Sequence, residues 1–154
     1  MLLVPEKREE LTTEGGLDVA SQLSRMKDVY AQLDDSNIRV SLFIDADKKQ
    51  IDAAITCGVP VIEIHTGHYA DAVSSVEREL KYNEIKKSCK YAHNLGLQVN
   101  AGHGLTLENT IAIAKINSII ELNIGHSIIS RAVFVGLANA TTEMKALMLE
   151  ARGL

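Results

Sequence analysis

The stretch Gln98-Val99-Asn100-Ala101-Gly102-His103-Gly104-Leu105-Thr106 decides how the chain is read. A short apolar-rich run ends in two glycines that bracket a histidine, the pattern of a strand delivering one titratable side chain into a tight turn. Glycine on both sides opens backbone conformations closed to other residues, so amide N–H groups can approach a ligand while the imidazole stays free. A counterpart lies downstream in Glu121-Leu122-Asn123-Ile124-Gly125-His126-Ser127, where a second strand runs into Gly-His and a short apolar helix pattern follows. Two such corners read as a pair of anion-gripping loops.

Outward from these corners the same unit recurs. Met1 to Val4 is an apolar strand-like run, and after the charged segment Glu6 to Glu10 and the loop Thr12 to Gly16, Val19, Leu23, Met26, Val29 and Leu33 fall at helical spacing behind Asp18, an expected N-cap. Val40 to Ile44 reads as a strand, Asp45-Ala46-Asp47 as a helix entrance, and Ile51, Ala54 and Ile55 as an apolar helix face ending near Gly58. Val61 to His65 is the next strand. A helix from about Val76 to Leu95 follows, with Leu80, Ile85, Cys89 and Ala92 inward and Gly96 as its stop. A helix around Leu107 to Lys115, the strand Glu121 to Ile124, a short helix and a last helix carrying Ala140, Met144, Leu147 and Met148 complete the pattern.

About five βα units without a break predict an α/β fold with a parallel sheet covered by helices. Side chains alternate along a strand, so Val40, Leu42 and Ile44, Ile62 and Ile64, and Leu122 and Ile124 should meet the helices. The opposite faces carry Ser41, Asp45, Glu63, His65, Asn100, Glu121 and Asn123. Parallel strands buried on both faces read apolar throughout. A polar inner face therefore predicts a wet lumen, and together with Gly-His loops after the last strands it points to a (β/α) barrel of the TIM type, whose sites sit at the strand ends.

Composition narrows the partners. The 154 residues suit one domain, and the formal net charge of -4, with no face concentrating Lys and Arg, argues against nucleic acid and anionic membranes. No apolar run approaches the roughly 18 residues of a membrane span. Cys57 and Cys89 lack metal spacing and read as buried thiols of a cytoplasmic protein. The expected partner is a phosphorylated small molecule.

His103 is the leading acid–base candidate, since imidazole titrates near neutral pH and a glycine turn exposes it; the plainer alternative is a histidine bonded to loop backbone. Glu63 lies mid-strand on the lumen face, where an unpaired carboxylate is costly, so it needs either a substrate cation or a structural partner. Gly125, His126 and Ser127 could seat a phosphate on helix amides or simply cap the helix. Thr12 and Thr13 beside Gly15-Gly16 form a weaker phosphate signal. A metal set built from His65, His68, His103 and His126 is disfavoured because no carboxylate is spaced to complete it. Asp45 and Asp47 read as helix caps, and the absence of a lysine within any expected strand disfavours Schiff-base chemistry.

Taken together, Val4-Pro5-Glu6-Lys7-Arg8, Thr12-Thr13-Glu14-Gly15-Gly16-Leu17-Asp18-Val19, Val40 to Asp45, Ile62-Glu63-Ile64-His65-Thr66-Gly67, Val99 to Leu105 and Glu121 to His126 resemble the pyridoxine 5'-phosphate synthase family through the whole chain and in the same order. The resemblance implies a TIM barrel condensing 1-deoxy-D-xylulose 5-phosphate with 3-amino-2-oxopropyl phosphate, releasing phosphate and water as the pyridine ring closes. It implies His103 as proton donor, Glu63 as transition-state stabiliser, Thr12 as a ligand of the deoxyxylulose phosphate, and Gly104, Gly125 and His126 as holders of the amino-ketone phosphate. No metal or organic cofactor is implied, and the family forms octamers. Family members begin with further βα units bearing a catalytic histidine, a catalytic glutamate and phosphate-binding arginines. The chain resembles the last five of eight units, so alone it is expected to show little or no synthase activity. A non-catalytic phosphate-binding or assembly remnant is the alternative, and another phosphosugar-handling barrel a weaker third.

Overall fold

The computed structural model describes residues 1–5 and 15–154. In chain order the elements are β1 (Leu2–Leu3), α1 (Leu23–Asp35), β2 (Ser41–Ile44), α2 (Lys48–Cys57), β3 (Val61–His65), α3 (Gly67–Ala70), α4 (Ser75–Asn94), β4 (Gln98–Gly102), α5 (Thr110–Ala114), β5 (Ile119–Asn123), α6 (His126–Val135) and α7 (Leu137–Arg152). All strand pairs are parallel, and the sheet order is β1-β2-β3-β4-β5.

That order separates two α/β architectures. Crossovers between parallel strands are right-handed, so a sheet that adds every new strand on the same side keeps winding in one direction. A doubly wound sheet reverses its strand order at a switch point, and this one does not. The architecture is an incomplete TIM-type barrel, as the sequence predicts.

The helix-facing side of the sheet is the core. Leu42, Ile44, Ile62, Ile64, Val99 and Ala101 are fully buried and cluster with Ile51 and Ala54 of α2, Ile85, Cys89 and Ala92 of α4 and Ile113 of α5. The other face is layered by register: Leu2, Ser41, Val61 and Gln98 form one row, Phe43, Glu63, Asn100 and Glu121 the next, and His65, Gly102 and Asn123 the last. The register between β4 and β5 shifts at Val99/Asn100, with Val99 opposite Ile119 but Asn100 opposite Glu121. Ile120 is the extra residue of this bulge and lies 66% exposed. Because one residue is skipped, Ile119 and Leu122 both face the helices while Glu121 and Asn123 turn to the lumen.

Several local expectations are corrected. Asp18 does not cap α1, whose N-cap is Gln22; instead its Oδ1 accepts from Ser21 N–H and from Gln50 Nε2, tying the preceding turn to α2. Leu80 and Ile55 point outward, and Cys57 and Ala53 complete the α2 contact. The helix expected from Leu107 is shortened to Thr110–Ala114, because Asn109 and Thr106 side chains bond into a turn before it. Gly58 and Gly96 adopt the positive φ that ends their helices, as expected. At the β5 side α6 buries none of its residues, and Val133 and Phe134 are largely exposed.

Candidate active site

Glu63, His103, Gly104, Gly125 and His126 line one cleft of about 770 Å³ at the C-terminal ends of the strands, joined there by Phe43, Asp71, Asn123 and Ser127 among others. The sequence-predicted residues therefore converge on one rim. Thr12 lies outside the described residues.

His103 stands on a strained turn. Its φ is +85°, a region that L side chains rarely adopt. The buried Thr66 hydroxyl reaches both the Gly102 and His103 carbonyls, at 2.7 and 2.5 Å, and holds the turn from α3's side. Gly104 follows with φ +72°, and a Cβ there would lie 2.6 Å from the Ala70 methyl. The two consecutive left-handed residues put the imidazole over the cleft rather than back along β4. Burial is the main cause holding the His103 imidazole below its ordinary proton affinity, with His65 and His126 adding repulsion and Asp71 opposing it. A negative charge arriving beside it would oppose that lowering.

Glu63 sits one layer deeper, only 4% exposed. Burial raises its proton affinity, Asn123 lowers it by donating to Oε2 at 2.6 Å, and the Glu121 charge raises it. The alternative of a structural acceptor is thus half met: one carboxylate oxygen has a protein donor.

The second corner starts α6. Gly125 is the N-cap, and the first-turn amides of a helix lack intrahelical acceptors, so they are available to an anion. Ser127 is not free to share the task, since its hydroxyl donates to the Leu105 carbonyl at 2.6 Å. That bond fastens the start of α6 to the loop carrying Gly104, which brings the two glycine corners together.

Asp47 caps α2 as expected, accepting from Lys49 N–H at 2.9 Å, but Asp45 does not. Its Oδ1 lies 3.0 Å from His65 Nδ1 and accepts from Gly16 N–H at 3.1 Å. The carboxylate thought missing from the histidine cluster is therefore present: Asp45, His65 and His68 bring donor atoms within 4.8 Å of one another. With a proton shared between Asp45 and His65 Nδ1, the arrangement is an Asp–His pair with His68 beside it. Sequence spacing hid this pair, because its members end different strands.

With this geometry in place, comparison with known proteins decides the family. The family described as Pyridoxal phosphate biosynthesis protein PdxJ matches residues 1–150. The chain belongs to that family. A protein of Photobacterium profundum named Pyridoxine 5'-phosphate synthase is 58% identical over 150 residues, covering 97% of this chain and 62% of the relative. One of the same name from Colwellia psychrerythraea is 61% identical over 150 residues, covering 97% of this chain and 61% of the relative. The chain thus spans about three fifths of the length of the curated relatives it matches.

Among the described residues no helix is long and apolar enough to cross a membrane.

Proposed function

We propose that this PdxJ-family chain supplies the phosphate-gripping and proton-donating part of a pyridoxine 5'-phosphate synthase, one that condenses 1-deoxy-D-xylulose 5-phosphate with 3-amino-2-oxopropyl phosphate. The observation that carries the reading is the convergence of Glu63, His103, Gly104, Gly125 and His126 on one cleft. Gly104 and the start of α6 present backbone amides to the amino-ketone phosphate. His103 donates a proton to an oxygen leaving as water. Glu63, buried yet ionisable beside Asn123, offsets positive charge developing on the substrate nitrogen. Thr12, which lies outside the described residues, is assigned to the deoxyxylulose phosphate.

In this reading the remaining βα units of the longer relatives complete the barrel, and the assembled protein is a cytoplasmic homo-oligomer. The test is turnover by a complete barrel carrying these residues, with and without His103→Ala. Loss of about 10²-fold or more in kcat is expected of a general acid, and unchanged turnover refutes the role.

A second reading rests on the exposed flank of the sheet, where β5 pairs only with β4 among the described residues. There the chain is a phosphate-binding remnant without turnover. Mixing it with the upstream units of a relative separates the two: restored product formation supports a split enzyme, and phosphate binding without product supports the remnant.

A further inference from the structure

Asp45, His65 and His103 lie in succession from the end of β2, past the end of β3, to the turn after β4. Only His103 has a part in the function above. The Asp45 carboxyl is held below its ordinary range, chiefly by its hydrogen bond with His65. The acceptor is therefore a carboxylate, and the shared proton sits on His65 Nδ1. The other ring nitrogen, His65 Nε2, is buried with no hydrogen-bond partner among the described residues.

The neighbourhood of that nitrogen is built around a missing side chain. A Cβ on Gly67 would come 2.4 Å from His65 Nε2 and 3.0 Å from His103 Cδ2. Glycine is thus what lets the two imidazoles share the space, and they meet edge to face with centroids 4.9 Å apart. Phe43 at 5.2 Å and His68 at 5.1 Å, both also edge-on, wedge the His65 ring from other sides. A ring pinned by a carboxylate at one nitrogen and wedged by aromatic neighbours has one orientation to offer. Its neighbour at the cleft is His103.

We propose that Asp45 and His65 are a positioning pair for His103: the carboxylate fixes the tautomer and plane of His65, and the packed His65 ring fixes the rotamer of His103 at the cleft. The inference rests on the preceding function only in taking His103 as the group that moves a proton during turnover. The charged and titratable groups around His103 are His65 and Asp45 from β3 and the end of β2, His68 and Asp71 from α3 and its end, His126 from α6, and Glu63 within the cleft. Of these His65 and His126 oppose a proton on His103, and Asp71 favours one.

The test is a pH titration of the imidazole NMR signals in the 154-residue chain, for the parent, His65→Phe and Asp45→Asn. Phenylalanine keeps a ring but removes the repulsion that His65 sets against a proton on His103, so the His103 midpoint should rise. Asparagine is isosteric, so it tests the pair without disturbing the packing: the His65 nitrogen signals should move from one tautomer to a mixture. An unmoved His103 midpoint in a folded His65→Phe, or an unchanged His65 tautomer in Asp45→Asn, overturns the proposal. In a complete barrel Asp45→Asn should lower kcat about tenfold or more with KM unchanged; a raised KM with unchanged kcat would overturn it too. The titration needs no substrate. A shifted midpoint in a barrel that makes no product keeps the pair and removes the synthase reading, and an unshifted midpoint in an active barrel does the reverse.

Discussion

The Asn123 amide donates to the Glu63 carboxylate at 2.6 Å, from β5 to β3, across the strand between them. The bridging strand makes room by having no side chain there. Gly102, in register with His65 on one side and Asn123 on the other, would place a Cβ 2.5 Å from Glu63 Oε1 and 2.8 Å from the Asn123 carbonyl.

Gly102→Ala should therefore destabilise the fold by about 1–3 kcal/mol, since one of the clashing atoms is backbone in a packed sheet. The change should also part Asn123 from Glu63. Thermal denaturation measures the first effect, and the Asn123 side-chain amide signals measure the second.

Glu63→Gln keeps the shape and the acceptor for Asn123 but removes the buried charge. The folded carboxyl holds its proton more tightly than its ordinary value near 4.5, so the parent loses stability as pH rises through the raised value. The variant should unfold at higher temperature near neutral pH. The difference should vanish on acidification below the ordinary value. In a complete barrel the same variant should lose turnover, which separates the charge's role in chemistry from its burden on the fold.

Gly104→Ala meets both a positive φ and the Ala70 methyl at 2.6 Å. The loop that Ser127 fastens to α6 must move, so inorganic phosphate should bind at least about tenfold more weakly, with a stability loss of about 1–2 kcal/mol. Gly96→Ala is the control. It shares the positive φ but has nothing within 4 Å, so it should cost stability alone and leave phosphate affinity unchanged.

Arg152 closes the far end of α7. Its guanidinium donates to the carbonyls of Ala114, Ile116 and Ile119, capping α5 and the start of β5 from outside. Arg152→Ala should cost about 1–2 kcal/mol, measurable by denaturant unfolding. Arg152→Lys should recover only part, because an ammonium cannot span three carbonyls as the planar fork does.

Much of this was legible in the residues alone. Alternation of strand and helix periods gave five βα units, and period-two spacing placed Glu63, Asn100 and Asn123 on one face and Ile62, Ile64 and Leu122 on the other. The glycines beside His103 and His126 marked the two corners, because few other residues leave a strand by such tight turns. Leu80 and Ile55 were misplaced for a related reason: helical spacing names a stripe, but which edge of the stripe meets the sheet depends on how the helix is rotated against it.

The sequence by itself determined the order of elements, the faces of the strands and the two glycine-histidine corners, since each depends on neighbours a few residues apart. Only the tertiary structure decided that Asp45 pairs with His65 across 20 residues and Asn123 with Glu63 across 60. Those partners are set by strand register and by the bulge at Ile120, and register is fixed by the packing of the whole sheet rather than by any local run of residues.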